Sequence, residues 1–155
     1  MITNASIADY LLTSFLAGVF GIIAMETVMW LIGRAQWAKG SMIIALSALI
    51  TRRRENAFRT GLVLHVISAT LFALLYTLAM ESLGLAQWPR AFFVGTGFGV
   101  FHGIVVSLAL VWVVAEQHPL EEFNEAGLAV GLIHFAGHVA YGAAVGLMIA
   151  AAALI

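Results

Sequence analysis

Five ionisable side chains lie within long apolar stretches of the sequence, and they are the residues best suited to do chemistry. They are Glu26, His65, His102, His134 and His138, and they include four of the five histidines in the chain. Ionisable groups are costly inside hydrocarbon and are rare there, so each is a functional-site candidate by default. The five residues come from four different apolar stretches, which raises the question of whether they meet.

A transition-metal site is the first interpretation of this set. Neutral imidazole is the commonest metal ligand in proteins. His134 and His138 are four residues apart, so on a helix they share one face. Histidines combined with Glu26 could form a tetrahedral zinc site or bind copper or iron. The predicted metal ligands are therefore Glu26, His65, His102, His134 and His138.

Haem b is the second interpretation, because a haem with two axial histidines takes one from each of two facing helices. His102 with His138 is one suitable pair, and His65 with His134 is the other. These four histidines are the predicted cofactor-binding residues. A haem there would make the protein an electron carrier or a redox subunit.

Two further interpretations need no cofactor. Each histidine could hydrogen-bond across helices, a contact that contributes about 0.6 kcal/mol on average. The available partners are Ser68, Tyr76, Ser107 and Tyr141. Alternatively, the Glu/His set could relay protons or ions. That path has no ionisable group between His102 and Glu81, near the predicted outer end of the second span.

Composition predicts the elements that must position these residues. The chain is 63% hydrophobic and 10% charged, whereas soluble domains are about half apolar and a quarter charged. Four stretches are long enough to cross a bilayer, which takes about 20 apolar residues. The sequence thus predicts an all-α integral membrane four-helix bundle, with a single transmembrane domain over residues 1–155. The spans are predicted roughly at residues 10–33, 58–80, 91–115 and 126–152.

The first loop contains a shorter apolar stretch, residues 41–50, which cannot span a membrane. Its apolar residues recur at helical spacing and a run of arginines follows. This pattern predicts a short helix in the inner membrane interface. A helix tucked under the bundle is the alternative.

Charge placement predicts the orientation. Six of the seven basic residues lie between the first two spans: Arg34, Lys39, Arg52, Arg53, Arg54 and Arg59. Basic loops stay on the cytoplasmic side. The loop over residues 34–59 is therefore predicted to be cytoplasmic, with both termini outside.

Helical rise then predicts the depth of each candidate residue. Measured from the inner ends of the spans, Glu26, His65 and His134 lie about 10–12 Å deep, and His102 and His138 about 18–20 Å deep, at 1.5 Å per residue. The five residues thus form two tiers in the inner half of the bundle. Gly95, Gly99 and Gly103 lie four residues apart and predict close packing of the third and fourth spans.

Several function classes have no support in the sequence. It has no cysteine, no His-Glu-x-x-His, no Gly-x-Ser-x-Gly and no phosphate-binding loop. The basic loop is explained by orientation and anionic lipid, so no nucleic-acid partner is predicted. An accessory role is favoured over independent enzymatic activity. The expected partners are lipid together with a second copy of the chain or a larger membrane complex.

Three short segments carry a family resemblance. They are residues 61–65 followed by Tyr76, residues 99–103, and residues 138–142, which combine Gly, His and Tyr. In order and type they resemble elements of small four-span bacterial inner-membrane proteins, most of which are uncharacterised. The resemblance implies the fold and a bacterial inner-membrane location.

Overall fold

The computed structural model describes residues 4–35, 42–124 and 127–152, and all regular structure in these ranges is helical. Of the residues in the predictions above, Lys39, Ser41 and Ala126 lie outside these ranges. The helices are α1 (Asn4–Arg34), α2 (Met42–Thr51), α3 (Ala57–Ser82), α4 (Arg90–Ala109), a π-helical turn (Leu110–Val114), α5 (Ala115–Gln117), a 3₁₀ turn (Glu121–Phe123) and α6 (Leu128–Ala152).

Four of these helical stretches are long and apolar enough to cross a membrane. They are Ile7–Arg34, Ala57–Ser82, Arg90–Gln117 and Leu128–Ala152. The prediction of an all-helical chain with four such helices is confirmed. The first helix begins earlier than predicted, at Asn4, and the third continues through the π-helical turn to Gln117.

The helices carry their large apolar side chains on the outside and several polar ones on the inside. Phe93, Phe101 and Leu75 are among many exposed large apolar residues, whereas His134 and His138 are buried. Most buried residues are apolar too, among them Met80, Val145 and Ile149, so it is the apolar exterior that distinguishes this bundle from a water-soluble one. Such an exterior is compatible with a bundle surrounded by hydrocarbon.

Glycines bring α4 and α6 together along their length, as their spacing predicts. A Cβ atom added at Gly99 would lie 2.5 Å from the carbonyl oxygen of His138. Gly95 faces Gly142 and Gly146 in the same way, with backbone against backbone. This close approach fixes how His102 on α4 faces His138 on α6.

The other contacts arrange the spans so that one side of the bundle is open. The first helix packs against both α6 and α3, and Gly21 leaves room there for the Tyr141 ring. By contrast, the backbones of α3 and α4 lie farther apart and are bridged by side chains such as Phe72 and His102. A cleft lined by residues of both α3 and α4 lies next to the histidines.

The short helix α2 is present where the sequence predicts a non-spanning helix, and it packs against α3. Gly61 on α3 lies directly under the Ile43 backbone, so that no side chain would fit between them. The buried His118 ring, at the end of the third span, has its Nε2 3.2 Å from the Ala45 carbonyl oxygen. These contacts hold α2 across one end of the cleft.

Candidate functional site

The five candidate residues lie on four helices, and the first pair in contact is Glu26 with His65. Glu26 on α1 has its Oε1 3.4 Å from Nε2 of His65 on α3. The His65 side chain is 10% exposed and that of Glu26 36%. The two atoms are within ion-pair distance but are not aligned for a hydrogen bond, and both are buried. The pair is close enough to share a proton after a small side-chain movement.

The second pair in contact is His102 with His138. Their rings are edge to face, with centroids 4.6 Å apart. The His102 Nδ1 lies 3.2 Å from the Tyr76 hydroxyl oxygen, and the Phe72 ring packs on His102 at 4.0 Å. Helical rise predicts equal depth within each of these two pairs, and the structure places both pairs in contact.

Backbone carbonyls orient the two histidines of α6. The Nδ1 of His134 lies 2.7 Å from the Val130 carbonyl oxygen, and that of His138 lies 2.7 Å from the His134 carbonyl oxygen. A carbonyl oxygen only accepts, so each Nδ1 carries the proton and donates it. The Nε2 atoms are left as acceptors, and that of His134 is buried without a hydrogen-bond partner.

A cavity of about 200 Å³ lies between these pairs, beside the cleft of α3 and α4. His65, His102 and His138 line it together with Ser68 and Tyr141. The remainder of the lining is mostly apolar and includes Met25, Leu46, Phe72 and Val106. A mostly apolar cavity with a few convergent polar groups is typical of a small-molecule site.

The geometry gives no support to a metal site. Within the described ranges, no three His, Asp or Glu side chains are grouped so that they could hold one ion. Instead, Glu26 with His65 and His102 with His138 form separate two-residue contacts. A structural metal site needs about four ligands around one centre.

Haem is not supported by the His102 and His138 geometry either. A macrocycle bound by two axial histidines lies between their rings. Here the rings touch each other, which leaves no space between them.

Of the residues that the sequence offers as hydrogen-bond partners for the histidines, some hydrogen-bond to a histidine and others do not. Tyr76 does bond to a histidine, His102. The hydroxyl of Tyr141 instead donates to the Ala69 carbonyl oxygen at 2.6 Å, which ties α6 to α3. The Ser107 hydroxyl is buried without a partner.

Sequence reasoning missed the apolar part of the cavity wall. Met25 and Leu46 are not among the predicted site residues, yet both line the cavity. The adjacency of Met25 to Glu26 was the available signal for the first. The second depends on how α2 folds back, which residue spacing does not encode.

No family model, curated protein or solved structure matches this chain. The likeness to small four-span bacterial proteins therefore stays a prediction, and the geometry alone carries the functional argument.

Proposed function

We propose that this chain is a four-span integral protein of the bacterial inner membrane that binds a small, membrane-soluble molecule. The observation that carries the proposal is the cavity lined by His65, His102 and His138. Three of the five candidate ionisable residues line this one cavity. Placing ionisable side chains within a membrane costs free energy, so a function that uses them is expected. Binding of a molecule through their ring nitrogens is such a function.

The size and lining of the cavity support a small and largely apolar ligand. An apolar cavity of about 150 Å³ accommodates benzene, so about 200 Å³ is enough for one ring with a short substituent. Met25, Phe72 and Val106 would contact the apolar body of the ligand. The histidines would contact its polar group.

The proposed membrane placement follows from the charges and from the short helix. The loop over residues 34–59 would face the cytoplasm, with both termini outside. In this placement, α2 lies at the cytoplasmic side of the membrane, near the interface, with Ile50 exposed to lipid. The role is that of a binding or accessory protein, alone, as a homo-oligomer or within a larger membrane complex.

Proton transfer is a second candidate function, favoured by one observation. The Glu26 and His65 side chains lie 3.4 Å apart inside the spans. A carboxyl and an imidazole exchange a proton within hydrogen-bond reach, which this pair would gain by a small side-chain movement. Proton flux into liposomes containing the wild-type protein would support this function, provided that Glu26→Gln abolishes it. Equal flux in both would remove it.

Extraction of the purified protein tests the binding proposal. The wild type, purified in mild detergent, is extracted with organic solvent for mass spectrometry, while absorption and elemental analysis are recorded on the same sample. Ser68→Phe places a ring at the cavity wall, and Ile67→Phe, on the neighbouring exposed face, is the matched control. We expect a stoichiometric organic molecule in the wild type and in Ile67→Phe but not in Ser68→Phe.

Two results would contradict the binding proposal. One is a wild-type protein without any co-purifying organic molecule, and the other is equal retention in Ser68→Phe. A stoichiometric metal or a haem absorption band would instead restore the cofactor interpretations of the five residues.

A further inference from the structure

The hydrogen-bonding state of His138 limits which ligands the cavity can satisfy. Its Nδ1 proton is committed to the His134 carbonyl oxygen at 2.7 Å. In a neutral imidazole the other nitrogen then carries a lone pair and no proton. The Nε2 of His138 is therefore an acceptor, and it has no hydrogen-bond partner within the part of the chain that the structure describes.

His102 has the opposite state, as assigned from its hydrogen-bond network. The Tyr76 hydroxyl lies 3.2 Å from its Nδ1 and has no other acceptor among the described residues. A buried hydroxyl donates where it can, because an unsatisfied buried donor costs about 1–3 kcal/mol. His102 Nδ1 thus accepts from Tyr76, and its Nε2 carries a proton to donate.

His102 and His138 both line the cavity, and their Nε2 atoms together supply one donor and one acceptor. The two rings are edge to face at 4.6 Å and do not hydrogen-bond to each other. A ligand hydroxyl can accept from His102 and donate to His138 at the same time. A carbonyl or an ether oxygen can only accept, so it would leave His138 Nε2 unsatisfied.

We propose that the ligand is a lipid-soluble aromatic alcohol, of the phenol or quinol class, whose hydroxyl lies in the cavity, accepts from His102 Nε2 and donates to His138 Nε2. This inference rests on the proposed binding function and names its ligand class. The aromatic ring would lie against Phe72 and the Met25 sulfur, since sulfur contacts with aromatic rings are favourable. The cavity volume of about 200 Å³ suits one such ring.

The cleft between α3 and α4 gives this ligand a route from the lipid. The backbones of these two helices are near each other at few positions, while each helix packs closely on another span. Ser68 lines the cavity and is also exposed, so the cavity wall reaches the outer surface of the bundle there. An alkyl tail on the ring would leave the cavity through this opening into the acyl-chain region.

A pair of matched ligands tests the inference. The wild-type protein in lipid nanodiscs is titrated with 4-hexylphenol and with 4-hexylanisole, which has a methyl ether in place of the hydroxyl. We expect the phenol to bind about tenfold more tightly, the value of one additional buried hydrogen bond. In His138→Phe, which cannot accept, the preference should fall to near unity. Histidine ¹⁵N spectra of the wild type should show the His138 Nε2 signal moving on addition of the phenol.

The outcomes separate this inference from the function on which it rests. Equal affinity for the two ligands, or an unchanged His138 Nε2 signal with the phenol bound, would overturn the hydroxyl assignment and leave small-molecule binding intact. If neither ligand binds while an organic molecule does co-purify, the ligand class is wrong but the binding function stands. If neither binds and nothing co-purifies, both proposals fail.

Discussion

At the scale of single residues, the histidines of α6 make a sharp prediction about proton position. In the neutral state, His134 and His138 should both carry the proton on Nδ1, because each Nδ1 lies 2.7 Å from a carbonyl oxygen that can only accept. The side chain of free histidine in water favours the other tautomer, with the proton on Nε2. Histidine ¹⁵N spectra of the protein in detergent or nanodiscs distinguish the two forms directly.

His102 supplies the internal control for that measurement. Its Nδ1 accepts from the Tyr76 hydroxyl, so its proton should lie on Nε2. Tyr76→Phe removes this donor and should shift the His102 signals while those of His134 stay unchanged. Spectra with an unprotonated Nδ1 in His134 and His138 would contradict the hydrogen-bond assignment and, with it, the acceptor role of His138 Nε2.

At the scale of elements, the contact between α4 and α6 predicts unequal effects of identical substitutions. Gly99→Ala puts a methyl group 2.5 Å from the His138 carbonyl oxygen, so the helices must separate. We expect a loss of about 1–3 kcal/mol in the free energy of unfolding, as for other overpacked interfaces. Gly97→Ala is the matched control, because nothing lies within 4 Å of its added Cβ.

The control should be neutral or slightly stabilising, since alanine is favoured over glycine in helices by up to about 1 kcal/mol. Reversible unfolding in mixed detergent measures both variants. Equal destabilisation by the two substitutions would show that the close approach of α4 to α6 through Gly99 is wrong.

The packing of α2 on α3 makes a second prediction at this scale. Gly61→Ala places a methyl group where the Ile43 backbone lies, so α2 should be displaced while α4 and α6 stay together. Hydrogen exchange of the Met42–Thr51 amides should become faster, with exchange in α6 unchanged. Gly97→Ala again serves as the control. Unchanged exchange in α2 would mean that Gly61 does not hold it.

At the scale of the whole molecule, the sequence predicts which elements exist and which candidate residues share a depth. Helix length follows from apolar run length, and the pairing of His102 with His138 follows from rise per residue. The rotation of each helix about its own axis cannot be predicted in this way, because packing against the other helices sets it. This is why the Tyr141 hydroxyl reaches the Ala69 carbonyl rather than a histidine, and why Leu46 lines the cavity. Neither contact is encoded in spacing along one helix.

The orientation of the molecule in the membrane is predicted from the sequence alone. Because the chain contains no cysteine, single introduced cysteines can test it. Ser82 ends α3, and Glu55 lies in the short connection between α2 and α3, so they mark opposite ends of the second span; both are exposed. The positive-inside rule predicts that Glu55 is in the cytoplasm, because six of the seven basic residues lie within residues 34–59. In intact bacterial cells, a membrane-impermeant maleimide should label Ser82→Cys and spare Glu55→Cys until the membrane is permeabilised. The reverse labelling would invert the orientation, whereas labelling of both in intact cells would show that α3 does not cross the membrane and would remove the bilayer as the source of the ligand.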